Sequence, residues 1–150
     1  MQVHTPPFSS AAVEGKLSET SLQIRLAAVD TPETAKFGNP SQPFGDEAKQ
    51  FLSNALADQS VVATLLHKDQ YSRAVCMVQY GSWPFRQCAS EELLKAGLGT
   101  IYRQTGAVYG EKKDAFERLE AAAKAESLGV WGLGEDVETA AEFKRRIKQE

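Results

Sequence analysis

Arg25, Asp30 and Glu33 cluster in one stretch of the sequence, and Asp69, Tyr71 and Arg73 in another. A guanidinium donates forked hydrogen bonds to a phosphate or a carboxylate. A carboxylate can hold a hard cation or accept a proton from water. Each residue also has a plainer reading: Arg25 as a strand arginine paired with a carboxylate, Asp30 as a turn residue, Glu33 as a loop charge, and Arg73 as a cross-strand partner. Both readings stay open at this level. His67, lone and placed in the polar turn His67–Ser72, reads as a solvated side chain.

The elements that must position these residues follow from periodicity. Leu22, Ile24, Leu26 and Ala28 alternate with Gln23, Arg25, Ala27 and Val29, the period of a strand with one buried face. Strict alternation puts Arg25 and Asp30 on opposite faces, so joint action requires a bend before Asp30. Thr31 to Phe44, with Pro32, Gly38, Pro40 and Pro43, reads as a long irregular loop over a site. Ala48, Phe51, Leu52, Ala55 and Leu56 then recur at helical spacing, with Asp46 and Glu47 at the positive end. Val61–Leu66 and Arg73–Gln79 are β-rich and, with the turn at Gly81-Ser82, predict an antiparallel meander. Glu91–Ala96 reads as a short helix stopped by Gly97, and Gly99–Tyr102 as a strand. Glu111–Leu128 reads as a helix with Ala115, Phe116, Leu119, Ala122 and Ala123 on its apolar stripe, before Gly129 and a core-docked Trp131.

The chain has 150 residues, 42% hydrophobic and 25% charged, which fits one compact domain. Its formal net charge of -3 excludes a globally cationic protein, so affinity for a polyanion must be local. Cys76 and Cys88 are too few for a disulfide framework and lack zinc-site spacing; both read as packed, reduced thiols. No run of apolar residues is long enough to span a membrane. Five strands and about three helices in this order fit an α+β small barrel of the oligonucleotide/oligosaccharide-binding (OB) type, and the spacing alone also fits other α+β domains. The tail from Asp136 to Glu150 reads as a peripheral helix whose cluster Lys144-Arg145-Arg146-Ile147-Lys148 is a solvated charged face rather than a nucleic-acid patch, because Glu142 and Glu150 dilute it and no aromatic run accompanies it.

Five blocks in register resemble the staphylococcal nuclease (thermonuclease-like) family: Ile24 to Glu33, Phe44 to Ala48, Asp69 to Arg73, Leu93 to Leu98, and Leu128 to Trp131. They keep the family's order over Leu22 to Trp131, which makes residues 1–132 the domain and 133–150 a charged tail. Asn39 to Gly45 and Trp83-Pro84-Phe85-Arg86 are similar to the eukaryotic members, including fungal putative endonucleases of mitochondrial membranes, which carry a membrane anchor upstream. The resemblance implies an intracellular, mitochondrial or membrane-associated setting and calcium-assisted hydrolysis of phosphodiesters in unpaired DNA or RNA. It implies Glu33 as general base, Arg25 and Arg73 as phosphate clamps, and Asp30 with the Thr31 carbonyl on Ca²⁺. It also implies nucleic-acid contacts from Tyr71, Asp69 and Tyr102, with Tyr109 a further candidate.

Two departures qualify the expectation. The family's first strand and acidic turn, with a second aspartate ligand, have no counterpart ahead of Gln2–His4, which itself reads as strand; the expectation is a barrel lacking one strand and poor calcium affinity. Ser72 stands where the family has Gly, so a left-handed turn is expected to be strained. These departures support a rival reading, a non-catalytic barrel that binds nucleic acid or a protein.

Overall fold

The computed structural model describes residues 22–36 and 38–149; the strand expected at Gln2–His4 lies outside the described residues. The expected strand at Leu22–Val29 is two strands, β1 (Ile24–Leu26) and β2 (Val29–Asp30), separated by a bend at Ala27-Ala28. They are followed by α1 (Gly45–Leu56), β3 (Val61–Lys68), β4 (Ala74–Tyr80) and β5 (Gln87–Cys88). The order continues with α2 (Ala89–Lys95), β6 (Thr100–Ile101), α3 (Lys113–Ala125), a 3₁₀ run Gly129–Asp136 broken at Gly134, and α4 (Ala140–Ile147).

Five strands and about three helices were expected; six strands and four α-helices are found among the described residues. Among the described residues the strands form two sheets, β1-β4-β3 with β5 also on β4, and β2-β6, an open arrangement consistent with the expected OB-type fold. The meander β3-β4-β5 is antiparallel as expected, whereas β1 runs parallel to β4, an arrangement that needs the long crossover through the loop and α1. Central β4 is buried along nearly its whole length, which explains its continuous apolar run. Edge strand β3 is mostly exposed and carries a register shift between Leu65 and His67. Strand β3 runs on through Lys68, so His67 is a half-buried strand residue whose Nδ1 has no hydrogen-bond partner among the described residues, not a solvated turn side chain.

The bend between β1 and β2 is held on three sides. The Ala27 amide donates to the Cys76 carbonyl at 2.8 Å, the Tyr102 amide to the Ala28 carbonyl at 2.9 Å, and the buried Ser90 hydroxyl to the Ala27 carbonyl at 2.8 Å. Ala28 accepts a left-handed φ of 68°, a conformation that costs an L-residue roughly 1–2 kcal/mol. Both alanines sit in the core beside Val75, Leu93, Leu94 and Phe116.

Helix α3 presents the expected stripe, with Phe116 and Ala123 buried. It also buries Glu120, whose carboxylate accepts from the Ile101 amide at 2.8 Å, from both Arg103 terminal nitrogens, and from Lys124. Burial alone would raise the Glu120 carboxyl, but these donors hold it below its ordinary value. Gly97, at the end of α2, has φ 68° and packs against the Leu128 carbonyl so closely that a Cβ could not fit. This contact brings α3's C-terminus onto α2. Trp131 is half-buried under the Lys124 ammonium, 4.3 Å from its ring centroid, while its neighbour Val130 fills the core position. Both cysteines are free and buried, with burial raising both thiols.

Ser90→Ala is expected to lower the unfolding free energy by about 1–3 kcal/mol, because it strands the buried Ala27 carbonyl. Urea titration should show a lower midpoint with an unchanged slope.

Candidate functional site

Strand β1 carries Arg25 and strand β2 ends in Asp30, and the bend between them turns both toward one cavity of about 420 Å³. Thr31 and Glu33, from the loop that leaves β2, line the same cavity. Tyr71 and Arg73 enter it from the β3–β4 turn, and Tyr102 from the residue after β6. Thus seven of the eight residues expected at a site meet at one cavity, and the apparent conflict between Arg25 and Asp30 is resolved by the bend.

The eighth, Asp69, does not line the cavity. Its carboxylate is taken up by the turn: it accepts from the Tyr71 amide at 2.9 Å, the Arg73 amide at 2.9 Å and the Arg73 Nε at 2.8 Å. Slight burial acts to raise the Asp69 carboxyl, but the hydrogen bonds from Arg73 and Tyr71 hold it below the ordinary carboxylate range. Asp69 therefore aims Arg73. The guanidinium's terminal nitrogens have no hydrogen-bond partner among the described residues. Ser72 adopts φ 62°, the left-handed turn expected there, and its amide donates to the Asp69 carbonyl at 3.0 Å.

Each arginine lies against a tyrosine. The Arg25 guanidinium stacks 4.1 Å from the Tyr102 ring centroid, and that of Arg73 lies 5.4 Å from the Tyr71 ring. Tyr102 thereby fixes the plane of Arg25, whereas Tyr71 is 71% exposed and leaves most of its ring open. Tyr109 spends its hydroxyl on the Tyr102 carbonyl at 2.9 Å and is not a cavity residue.

Glu33 is positioned by its backbone. Its amide donates to the Gln42 side-chain oxygen at 3.1 Å, and its carbonyl accepts from the Gln42 amide at 2.8 Å. Gln42 is buried, and its side-chain nitrogen donates to the Glu138 carbonyl just ahead of α4. Gly45 packs on the Glu33 carbonyl where a Cβ would collide with it. The Glu33 side chain forms an ion pair with Lys144 of α4, Oε1 to Nζ at 2.7 Å. Helix α4 is therefore not merely peripheral: Ala140 and Phe143 are buried, and Ala141 and Lys144 line the cavity.

Gln42 and Lys144 are the site residues that the sequence reading missed. No spacing rule marks Gln42. For α4, Thr139-Ala140-Ala141-Glu142 is a legible capping box, present here with the Glu142 amide donating to the Thr139 hydroxyl and the Thr139 amide to the Glu142 carboxylate. That signal locates the helix but not its contact with Glu33.

The Asp30 carboxylate makes no hydrogen bond or ion pair among the described residues. Burial raises it above its ordinary value, Lys144, Arg25 and Arg73 oppose the rise, and Glu33 adds to it. The Asp30 and Glu33 carboxylates and Thr31 line the same cavity and offer hard oxygen donors, the type that fits a cation such as calcium. The set is thin: among the described residues no group of three or more His, Cys, Asp or Glu side chains could enclose a metal. Water and a bound anion would have to complete the shell.

The fold and this cavity define a small α+β domain of the OB type with a cleft lined by two arginines, a lysine and two carboxylates. The family model described as "Staphylococcal nuclease homologue" matches residues 23–132, and the chain belongs to that family. It is 56% identical over 133 residues to "Endonuclease Htp3" of Saprolegnia parasitica, covering 89% of this chain and 63% of that protein. It is 40% and 39% identical over 131 residues to proteins named "Probable endonuclease LCL3" from Clavispora lusitaniae and Scheffersomyces stipitis, covering 87% of this chain and 56% of each. The chain thus spans between about half and two thirds of the length of these relatives. The eukaryotic flavour of the sequence agrees with these names. Among the described residues no helix is long and apolar enough to cross a membrane.

An acid whose folded-state value is raised costs stability once ionised, and that cost disappears where the carboxyl is protonated in both states. Asp30→Asn is therefore expected to raise the melting temperature in EDTA near neutral pH, with the gain vanishing as pH falls below the ordinary Asp value of 3.8. Thermal scans of both proteins across pH would check it.

Proposed function

We propose that this domain hydrolyses phosphodiester bonds of single-stranded or unpaired DNA or RNA, with assistance from calcium. The observation that carries the reading is the convergence of Arg25, Arg73, Asp30 and Glu33 on one open cavity. Arg25 and Arg73 are oriented by Tyr102 and Asp69, so their free nitrogens can bind the non-bridging phosphate oxygens without first being immobilised. Lys144 holds Oε1 of Glu33, which leaves Oε2 to take a proton from an attacking water. As the new O–P bond forms and the ester oxygen departs, the arginines bear the growing negative charge. Calcium, held by the Asp30 carboxylate and the Thr31 carbonyl, would supply further positive charge at the phosphate. Tyr71 offers an exposed ring on which a base can stack.

The names of the relatives support cleavage over mere binding. The thin cation set favours a second reading, a barrel that binds nucleic acid or a protein without cutting.

Cleavage of labelled single-stranded DNA and RNA in calcium and in EDTA separates the two. Cutting is expected in calcium only. Glu33→Gln should reduce kcat by about 10²–10⁴-fold, and Arg73→Lys by about 10²-fold or more, because an ammonium cannot reproduce the fork. Calcium should raise the melting temperature of the wild type and not of Asp30→Asn. A folded wild type that cuts neither substrate, or cutting indifferent to Glu33→Gln, would favour the binding module.

A further inference from the structure

On the nuclease reading, the first cavity holds the phosphate of the bond to be cut. On the other side of Glu33 and Lys144 the surface continues into a smaller groove of about 170 Å³, and these two residues line both. Lys36, from the loop after β2, and Lys148, one helical turn beyond Lys144, also line the groove. Lys148 is the C-cap residue of α4 with helical backbone angles, so it falls on the same side of the helix end as Lys144 four residues before it. Lys36 and Lys148 are exposed and have no ion-pair partner among the described residues. Glu33 is the groove's one acidic lining residue, and it is already paired with Lys144. Pro40, Phe143 and Ile147 supply an apolar floor.

Three lysines gathered on one groove, in a chain of net charge -3, make a local excess of positive charge beside the candidate site. The apolar floor suits a sugar or base edge, and the ammonium groups suit phosphates. Unlike the guanidiniums of the first cavity, lysines act as point charges without a required fork geometry, which suits holding a backbone rather than stabilising a reacting centre. Lys144 and Lys148 also lie beyond residues 23–132, the span that the family model matches.

We propose that Lys36, Lys144 and Lys148 form a second backbone subsite, which holds a neighbouring phosphodiester of the same single strand while the first cavity holds the bond to be cut. The proposal rests on the nuclease reading for its geometry, and its test is chosen so that the two can fail separately.

The probe is a fluorescein-labelled oligothymidylate, with binding measured by anisotropy in EDTA over a series of salt concentrations. Cleavage of the same oligonucleotide, and of bis(4-nitrophenyl) phosphate, which carries a single phosphate, is measured in calcium. For Lys36→Met and Lys148→Met, the slope of log affinity against log salt is expected to fall by about 0.7 for each lysine removed. KM for the oligonucleotide should rise severalfold, and by a larger factor than KM for the single-phosphate ester. Lys148→Arg should restore binding, and Lys148→Glu should weaken it beyond the methionine variant. Circular dichroism confirms that each variant is folded. Salt slopes and oligonucleotide KM values equal to those of the wild type would overturn the subsite, whether or not the protein cuts. A wild type that binds with the expected slopes yet cuts neither substrate would overturn the nuclease reading and leave the subsite standing. A wild type that neither binds nor cuts would overturn both.

Discussion

The bend at Ala27-Ala28 is the constraint on which the rest of the site depends. A regular strand through this stretch would send Arg25 and Asp30 to opposite faces, and no choice of side chain could bring them together. The left-handed φ of Ala28 changes that parity, and the surrounding structure supplies the energy to hold it. Three hydrogen bonds, from the backbone of Ala27 and Tyr102 and from the buried Ser90 hydroxyl, fix the two residues in place. The bend also divides the sheet: β1 stays parallel to β4, while β2 leaves to pair with β6. The departure delivers Tyr102, the residue after β6, to the face of Arg25.

Around that bend the charges are arranged in an unequal balance. Arg25, Arg73 and Lys144 face Asp30 and Glu33 within one half-open cavity. Glu33 is paired and Asp30 is not, so burial dominates at Asp30 and raises its carboxyl. Such a group is costly to the bare fold and useful to a ligand that brings positive charge, a common tension between stability and function. Arg73 is treated differently: its Nε is committed to Asp69, and its outer nitrogens remain available. Preorganisation of this kind lowers the cost of ordering a long side chain when an anion arrives.

The irregular loop and the last helix complete the enclosure by contacts distant in sequence. Gln42 ties the backbone of Glu33 to the carbonyl of Glu138, and Lys144 then returns from α4 to the Glu33 carboxylate. The loop and the tail helix therefore act as a single wall. A stretch that is a weakly patterned, charged tail in the sequence becomes the outer side of the cleft and links it to the neighbouring lysine-lined groove.

Much of this was legible in the residues themselves. The alternation in β1, the helical spacing of α1 and α3 and the glycine stop at Gly97 are local, and local sterics and burial patterns announce them, whereas the left-handed turn at Ser72 was expected only from the family resemblance. The need for a bend before Asp30 followed from parity once Arg25 and Asp30 were required to act together. The residue types at Arg25, Asp30, Glu33 and Arg73 stated what chemistry the chain could attempt, although they left plainer roles open. Tertiary structure decided which elements meet. It buried Glu120 where the Ile101 amide and the Arg103 guanidinium meet it, drew His67 into a strand and brought Lys144 to Glu33. None of these is encoded in spacing, because each depends on groups far apart in the chain whose approach is set by packing of the whole core, and a one-dimensional period carries no information about such distances.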